Sequence, residues 1–283
     1  MIPEPMANVG AITAIWRYPV KSMMGDELNA AEVTKRGLLG DRHSALVDRE
    51  TGMVVSAKNP RKWGDFFAFR AAFVEPPTLG SKMPAVRVTL PDGNVVTSEE
   101  ADFAQILSRA LGREVTFEQV APSDRSSGSG RSAKAEEYWP DIDGLDHRDT
   151  VTDFDLPEGT CFDAAVVHLL TTASLDRLRE LYPGGRFEIQ RFRPNIVVAP
   201  EPAFRAFVEN DWVDRTLAIG HEVRLRVTGP CPRCVMTTLP QGDLPKDPGI
   251  LRAAAQHNGA NVGVYASVEH EGLVTRGDSV KLL

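Results

Sequence analysis

Residues 85–97 read AVRVTLPDGNVVT, two apolar-alternating segments joined at Pro91, Asp92 and Gly93. Alternation places successive side chains on opposite faces of a pleated strand, and a Pro-Asp-Gly step supplies a tight reversal. The stretch therefore predicts a β-hairpin with strands at 85–90 and 95–97. Working toward the N-terminus, 11–16 and 45–48 carry the same short β-rich signature. On the other side, Ser98 followed by Glu99 and Glu100 predicts a capped helix through Leu111. Its Phe103, Ile106, Leu107 and Ala110 share a face, and Gly112 ends it.

From 122 to 159 the character changes: a Ser/Gly run at 126–130 leads into an acidic, proline-punctuated stretch with few apolar residues besides Tyr138 and Trp139. This predicts a loop or connection. Gly128, Gly130 and Ala133 fit a dinucleotide fingerprint in spacing only, since no strand precedes them and no apolar helix follows. Beyond, Leu175, Leu178, Leu181 and Tyr182 predict a helix ended by Pro183 and Gly184, strands follow at 195–198 and 223–227, and a second helix starts with Asp247 as cap and Pro248 as first residue. Residues 261–282 return to strand-like alternation. The fold class is mainly β with peripheral helices (α+β).

The 283 residues allow one large domain or two small ones. With 32 Lys and Arg against 39 Asp and Glu the net charge is −7, which argues against a nucleic-acid partner. No long apolar run and no leader pattern appear at the start, so neither a membrane partner nor secretion is expected. Three cysteines, Cys161, Cys231 and Cys234, are too few for a disulfide scaffold and fit a reducing cytoplasm.

The sharpest local feature is Cys231-Pro232-Arg233-Cys234. Two thiols at this spacing suit a redox disulfide, half of a zinc site, a single metal-ligating thiolate, or two buried structural cysteines. The β-prone Val235 to Leu239 that follow disfavour the helix a dithiol oxidoreductase needs. A zinc site would have to recruit Cys161 and His168, and His168 sits in an apolar run that suggests a satisfied core histidine. Three basic clusters lie beside residues that fix the backbone: Tyr18-Pro19-Val20-Lys21-Ser22, Gly40-Asp41-Arg42 and Arg191-Phe192-Arg193-Pro194-Asn195. With Arg233 they suggest a basic pocket for an anionic ligand next to a thiolate.

These ordered motifs, with Cys-Pro-Arg-Cys-Val-Met-Thr-Thr at 231–238, resemble the molybdenum cofactor sulfurase C-terminal (MOSC) family with its N-terminal β-barrel domain, and within it the mitochondrial amidoxime-reducing component and bacterial counterparts. The resemblance implies a β-barrel-like domain over 8–121, a connection over 122–160 and a MOSC β-barrel over 161–283. It implies molybdenum cofactor (Mo-molybdopterin), with pyridoxal phosphate not expected, and Cys234 as the metal's protein ligand, its thiolate favoured by Arg233. Lys21, Ser22, Arg42, Arg193, Asn195 and Arg233 would surround the pterin and its phosphate. Asp163 would contribute too, although Ala164 and Ala165 replace two hydroxyl-bearing residues of the relatives, and Cys231 would be structural. The implied activity is reduction of small N-hydroxylated compounds, hydroxylamines or amidoximes, with electrons from a separate flavin, haem or iron–sulfur protein. The alternative is a cofactor or sulfur carrier using a Cys234 persulfide with Cys231 as resolving thiol.

Overall fold

The computed structural model describes residues 7–119, 133–145 and 147–283; Gly128 and Gly130 of the Ser/Gly run lie outside them. The first half contributes β1 (Ala7–Arg17), β2 (Asp26–Leu28), β3 (Ala30–Thr34), β4 (Gly37–Leu38), β5 (Ser44–Asp48), α1 (Pro60–Trp63), β6 (Arg70–Phe73), β7 (Val86–Thr89), β8 (Val95–Thr97), α2 (Phe103–Leu111) and β9 (Val115–Gln119). The second contributes β10 (Lys134–Trp139), β11 (Thr150–Asp155), β12 (Val167–Thr171), α3 (Thr172–Leu181), α4 (Ile189–Phe192), β13 (Ile196–Pro200), β14 (Thr216–Ile219), β15 (Val223–Pro232), α5 (Gly249–Asn258), β16 (Asn261–His270), β17 (Gly272–Thr275) and β18 (Ser279–Leu282). Strands dominate and helices are peripheral, as the patterning predicts.

Seven strands close a barrel in the order β13-β12-β16-β15-β14-β18-β1, with β1 returning to β13 and β2 added beside β1. Closure pairs every stave on both sides, which removes exposed edges. The barrel interior follows from period-2 alternation: Val223, Leu225 and Val227 of β15 point inward against Ile12, Leu169 and Val264, all with 2% exposure or less. β12 and β13 are parallel, and α3 lies on the connection between them. The first strand of the chain is thus a stave of a barrel otherwise built from residues 167–282.

A second core gathers Val20, Leu46, Phe66, Phe69, Val88 and Leu107 from the first half, together with Val235, Met236 and Leu239 from the second. The segment just after Cys234 therefore packs into the N-terminal half, which seats the two halves on each other at that cysteine.

Three local expectations are corrected. Ser98 does not cap α2, which begins at Phe103; its hydroxyl accepts from Val86 N at 3.0 Å across the β7–β8 hairpin, while the Glu100 carboxylate accepts from Thr97 N at 2.7 Å. Within the stretch read as irregular, β10 and β11 form an antiparallel hairpin from Lys134↔Asp155 to Trp139↔Thr150. Its outer strand β11 has no fully buried side chain, so no apolar alternation announced it. β15 runs on past 227 through Cys231 to Pro232. Asp247 Oδ1 accepts from Gly249 N at 2.8 Å, although α5 begins at Gly249 with Pro248 at its N-cap, one residue later than expected. Among the described residues no helix is long and apolar enough to cross a membrane.

Candidate functional site

Three residues of the basic motifs, one serine and two arginines, sit on left-handed backbone. Ser22 (φ +65°), Arg42 (φ +46°) and Arg193 (φ +53°) are among the seven described non-glycine residues in that region, and all three line one cleft between the two halves. Such conformations are held only where surroundings impose them, and they concentrate at functional sites. Arg193 ends the short α4, and Pro194 prevents the helix from continuing. Arg42 is tied down by its backbone N–H, which donates to Tyr18 O at 2.7 Å.

The cleft spans ≈ 670 Å³ counting its open mouth. Lys21, Ser22, Arg42, Asp163, Arg193, Asn195, Arg233 and Cys234 all line it, so the four motifs converge on one place. Five cations face one carboxylate there, because Lys58 joins the four expected basic residues. Lys58 escaped the sequence reading. Its signal was the turn grammar of Lys58-Asn59-Pro60, a cation set beside a proline like the other basic clusters.

Asp163 binds Lys21 in a close ion pair and approaches Lys58 Nζ at 3.6 Å. Burial pushes its carboxyl up, but Lys21 and Lys58 overcome this and hold it well below the usual carboxylate range. Lys21 also donates to Cys161 O at 3.0 Å, and Lys58 to Glu137 Oε2 at 3.3 Å. The Arg42 and Arg193 guanidinium groups both lie over the Tyr18 ring, 4.8 and 4.1 Å from its centroid. Arg193 Nη1 donates to Met23 O at 2.7 Å while its Nη2 is buried with no partner, and burial lowers this guanidinium to about 10, still charged at neutral pH. Arg233 Nε is also buried and unpartnered.

Other predicted residues turn out to serve the frame. Asn195 donates to Asp41 Oδ2 at 2.9 Å and to Trp16 O at 3.3 Å and accepts from His168 N at 3.1 Å, so its amide is fully engaged at the cleft wall. Asp41 in turn accepts from Tyr18 N at 2.8 Å and pairs with Arg42. His168 is 6% exposed with Nε2 3.1 Å from Val262 O, a satisfied core histidine that also borders the cleft. Arg191, from the same basic cluster as Arg193, points away from the cleft into buried backbone carbonyls.

The cysteines reverse one expectation. Arg233 favours the Cys234 thiolate only weakly, outweighed by burial and Glu137, and its Nη1 donates instead to Cys231 Sγ at 2.7 Å. Cys231 lies fully buried in β15; burial raises its thiol, yet Arg233 and His168 more than offset this and bring it to about 6. Cys234, at the turn after β15, is half-buried and opens to the cleft, and burial followed by the Glu137 charge pushes its thiol up to about 11 against Lys58 and Arg233. Among the described residues no group of three or more His, Cys, Asp or Glu is placed to hold a metal, so Cys161 and His168 do not complete a zinc site with the cysteine pair.

This arrangement defines a class: a two-core β protein whose interdomain cleft is walled by cations and carries one accessible thiol. The chain matches the MOSC domain over residues 157–281 and the MOSC N-terminal beta barrel domain over residues 9–113, and it belongs to the MOSC-domain proteins that carry this N-terminal barrel. It is similar to mitochondrial amidoxime reducing component 2 of Rattus norvegicus (25% identical over 247 residues, 83% of this chain and 68% of the relative) and of Homo sapiens (28% over 254 residues, 83% and 68%). Mitochondrial amidoxime-reducing component 1 of Xenopus laevis is 28% identical over 315 residues, covering 98% of this chain and 83% of its own length. The crystal structure of the YUAD protein from Bacillus subtilis superposes at a TM-score of 0.48 with 11% identity, covering 98% of this chain and 97% of that one.

Proposed function

We propose that the cleft holds molybdenum cofactor and that the protein reduces N-hydroxylated compounds with electrons from a separate donor protein. The observation that carries this reading is the charge of the wall: five cations and one carboxylate, with Arg193 Nη2 and Arg233 Nε buried and unpartnered, surrounding one accessible thiol. A phosphorylated, anionic group with a thiophilic metal fits that donor set. The names of the similar mitochondrial proteins support the reaction class.

When bound, the cofactor supplies a two-electron couple able to cleave an N–O bond: R–NHOH with two electrons and two protons gives R–NH2 and water. Arg193 Nη2 and Arg233 Nε, with the Arg42 charge beside them, would meet phosphate and pterin, and Lys21 and Ser22 would complete the lining around the anionic group. Asp163 fixes Lys21 and Lys58 against each other so that neither cation is left unpaired before loading. Asn195 holds Asp41, which holds Arg42. Cys234 would ligate the metal, and since burial and Glu137 push its thiol pKa up, ligation would release a proton. A carrier role using Cys231 as resolving thiol has less support, since Cys231 is fully buried beneath Arg233.

The test is molybdenum content, with zinc and iron on the same sample, after expression in a host that makes the cofactor. Near-stoichiometric molybdenum that is lost in Cys234→Ser, with hydroxylamine turnover on an artificial donor that is lost with it, is expected. A Cys234→Ser protein with full activity, or wild-type protein without molybdenum, would overturn the reading.

A further inference from the structure

A second cavity, ≈ 1190 Å³ counting its mouth, lies against the cation-walled cleft and shares two of its side chains, Arg42 and Phe162. The two residues contact each other, the Arg42 guanidinium carbon lying 5.7 Å from the Phe162 ring centroid, so they form a common wall. The chemistry on the two sides of that wall is opposite. Leu38, Leu39, Leu79 and Met83 line the second cavity.

Its charged neighbours are turned to other work. Lys35 donates to Val268 O at 3.2 Å and Glu269 O at 2.5 Å, Arg36 donates to Gly159 O at 2.5 Å, and Asp41 is engaged by Tyr18, Asn195 and Arg42. His43 presents a ring with no hydrogen-bond partner; burial and then the nearby Arg36 lower its pKa, so the imidazole is neutral at pH 7 and able to donate or accept. An anion is favoured on one side of the Arg42–Phe162 wall, and an apolar, uncharged body on the other.

We infer that the Leu38–Leu39–Leu79–Met83 cavity binds the apolar portion of the substrate, with the Arg42–Phe162 wall as the threshold across which the polar end reaches the cleft. The physical reason is space as well as polarity. Once an anionic group occupies the cation-walled cleft, the adjoining cavity is a lined volume bordering it from which a second molecule can approach. The catalytic half of this inference rests on the reductase reading; the binding half does not.

The test is a series of N-alkylhydroxylamines from methyl to hexyl on the full chain. Without an electron donor, calorimetric affinity is expected to rise with chain length by about fourfold per methylene, the ratio that burial of one CH2 gives. Met83→Trp, which fills the cavity, is expected to weaken N-hexylhydroxylamine tenfold or more. Leu79→Asp at the 61%-exposed rim is expected to do the same and guards against a folding failure of the first variant. In molybdenum-loaded protein the same variants are expected to lower kcat/KM for the hexyl compound through KM, with the loss shrinking as the alkyl chain shortens. Affinity independent of chain length, or unchanged in both variants, would overturn the inference. Chain-length-dependent binding without any hydroxylamine turnover would instead remove the reductase reading and leave the cavity assigned.

Discussion

Replacing Arg191 by Met removes a cation that has no ion-pair partner among the described residues, Asp247 and Glu188 acting on it only from further away. The side chain is completely buried, and its donors reach four backbone carbonyls: Arg186 at 2.8 Å, Thr237 at 3.1 Å, Leu239 at 3.2 Å and Pro245 at 2.8 Å. Two of these belong to the segment just beyond Cys234, so Arg191 staples α4 to the turn that presents the thiol. Methionine keeps most of the apolar stem and deletes every donor. At about 1–1.5 kcal/mol for each lost hydrogen bond, four bonds amount to about 4–6 kcal/mol. Relief from burying a charge offsets about 2 of these, leaving a net loss of about 3 kcal/mol. At about 2.1 cal/mol/K of unfolding entropy per residue over this chain, that corresponds to a Tm lowered by roughly 5 °C. Calorimetric melting of Arg191→Met and Arg191→Lys beside the wild type measures it, with the lysine variant intermediate because an ammonium cannot span four acceptors. Alkylation of Cys234 is expected to accelerate in both variants as the turn loosens. A methionine variant that melts within 2 °C of wild type, with unchanged Cys234 reactivity, would refute the stapling argument.

Asp163→Asn leaves Lys21 and Lys58 buried with a weaker partner, and urea unfolding at pH 7 should show a loss of about 1–2 kcal/mol, discounted for the carboxylate's partial exposure. The Asp163 carboxyl is depressed in the folded protein, so its contribution is complete above its unfolded pKa of about 4 and fades as the pH falls below it; the gap between variant and wild type should narrow there. Glu209 is the opposite case: burial raises its carboxyl, against hydrogen bonds from Ser174 and Thr171 at 2.6 Å each. Wild-type protein should therefore lose stability relative to Glu209→Gln as the pH rises from about 4 toward neutrality, measured as the difference in Tm. Gly263 has φ +82°, and an added Cβ would lie 2.4 Å from His168 Nε2 and 2.5 Å from Leu169 O. Gly263→Ala should cost about 2 kcal/mol or more and shift the His168 ring resonances, whereas wild-type stability would mean that β12 and β16 can separate freely.

Local pattern carried much of the architecture. Alternation with a Pro-Asp-Gly turn at 85–97 is sufficient for β7 and β8, because both strands and their reversal are encoded within a few residues. The β10–β11 hairpin was illegible because its outer strand β11 lacks buried side chains and is held by backbone pairing to β10, which Val54 anchors by donating its N–H to Lys134 O at 2.8 Å. Among the site residues, four motifs named by their fixed backbones and basic side chains do line one cleft.

By itself the sequence determined the β class, the punctuation of turns and caps, and which residues were chemically equipped for an anionic ligand beside a thiol. Tertiary structure alone decided their division of labour. Arg191 and Arg193 lie two residues apart in one basic cluster, yet the first sits on α4 facing carbonyls and the second, on left-handed backbone, faces the cleft. Cys231 and Cys234 differ likewise, since the strand ends between them: one thiol is fully buried under Arg233 and the other faces the cleft. Spacing along the chain fixes the order of groups, but a side chain's direction and its partners depend on backbone dihedrals and on segments distant in sequence. Lys58 and Glu137 beside Cys234 are of that kind, and only closure of the fold brings them there.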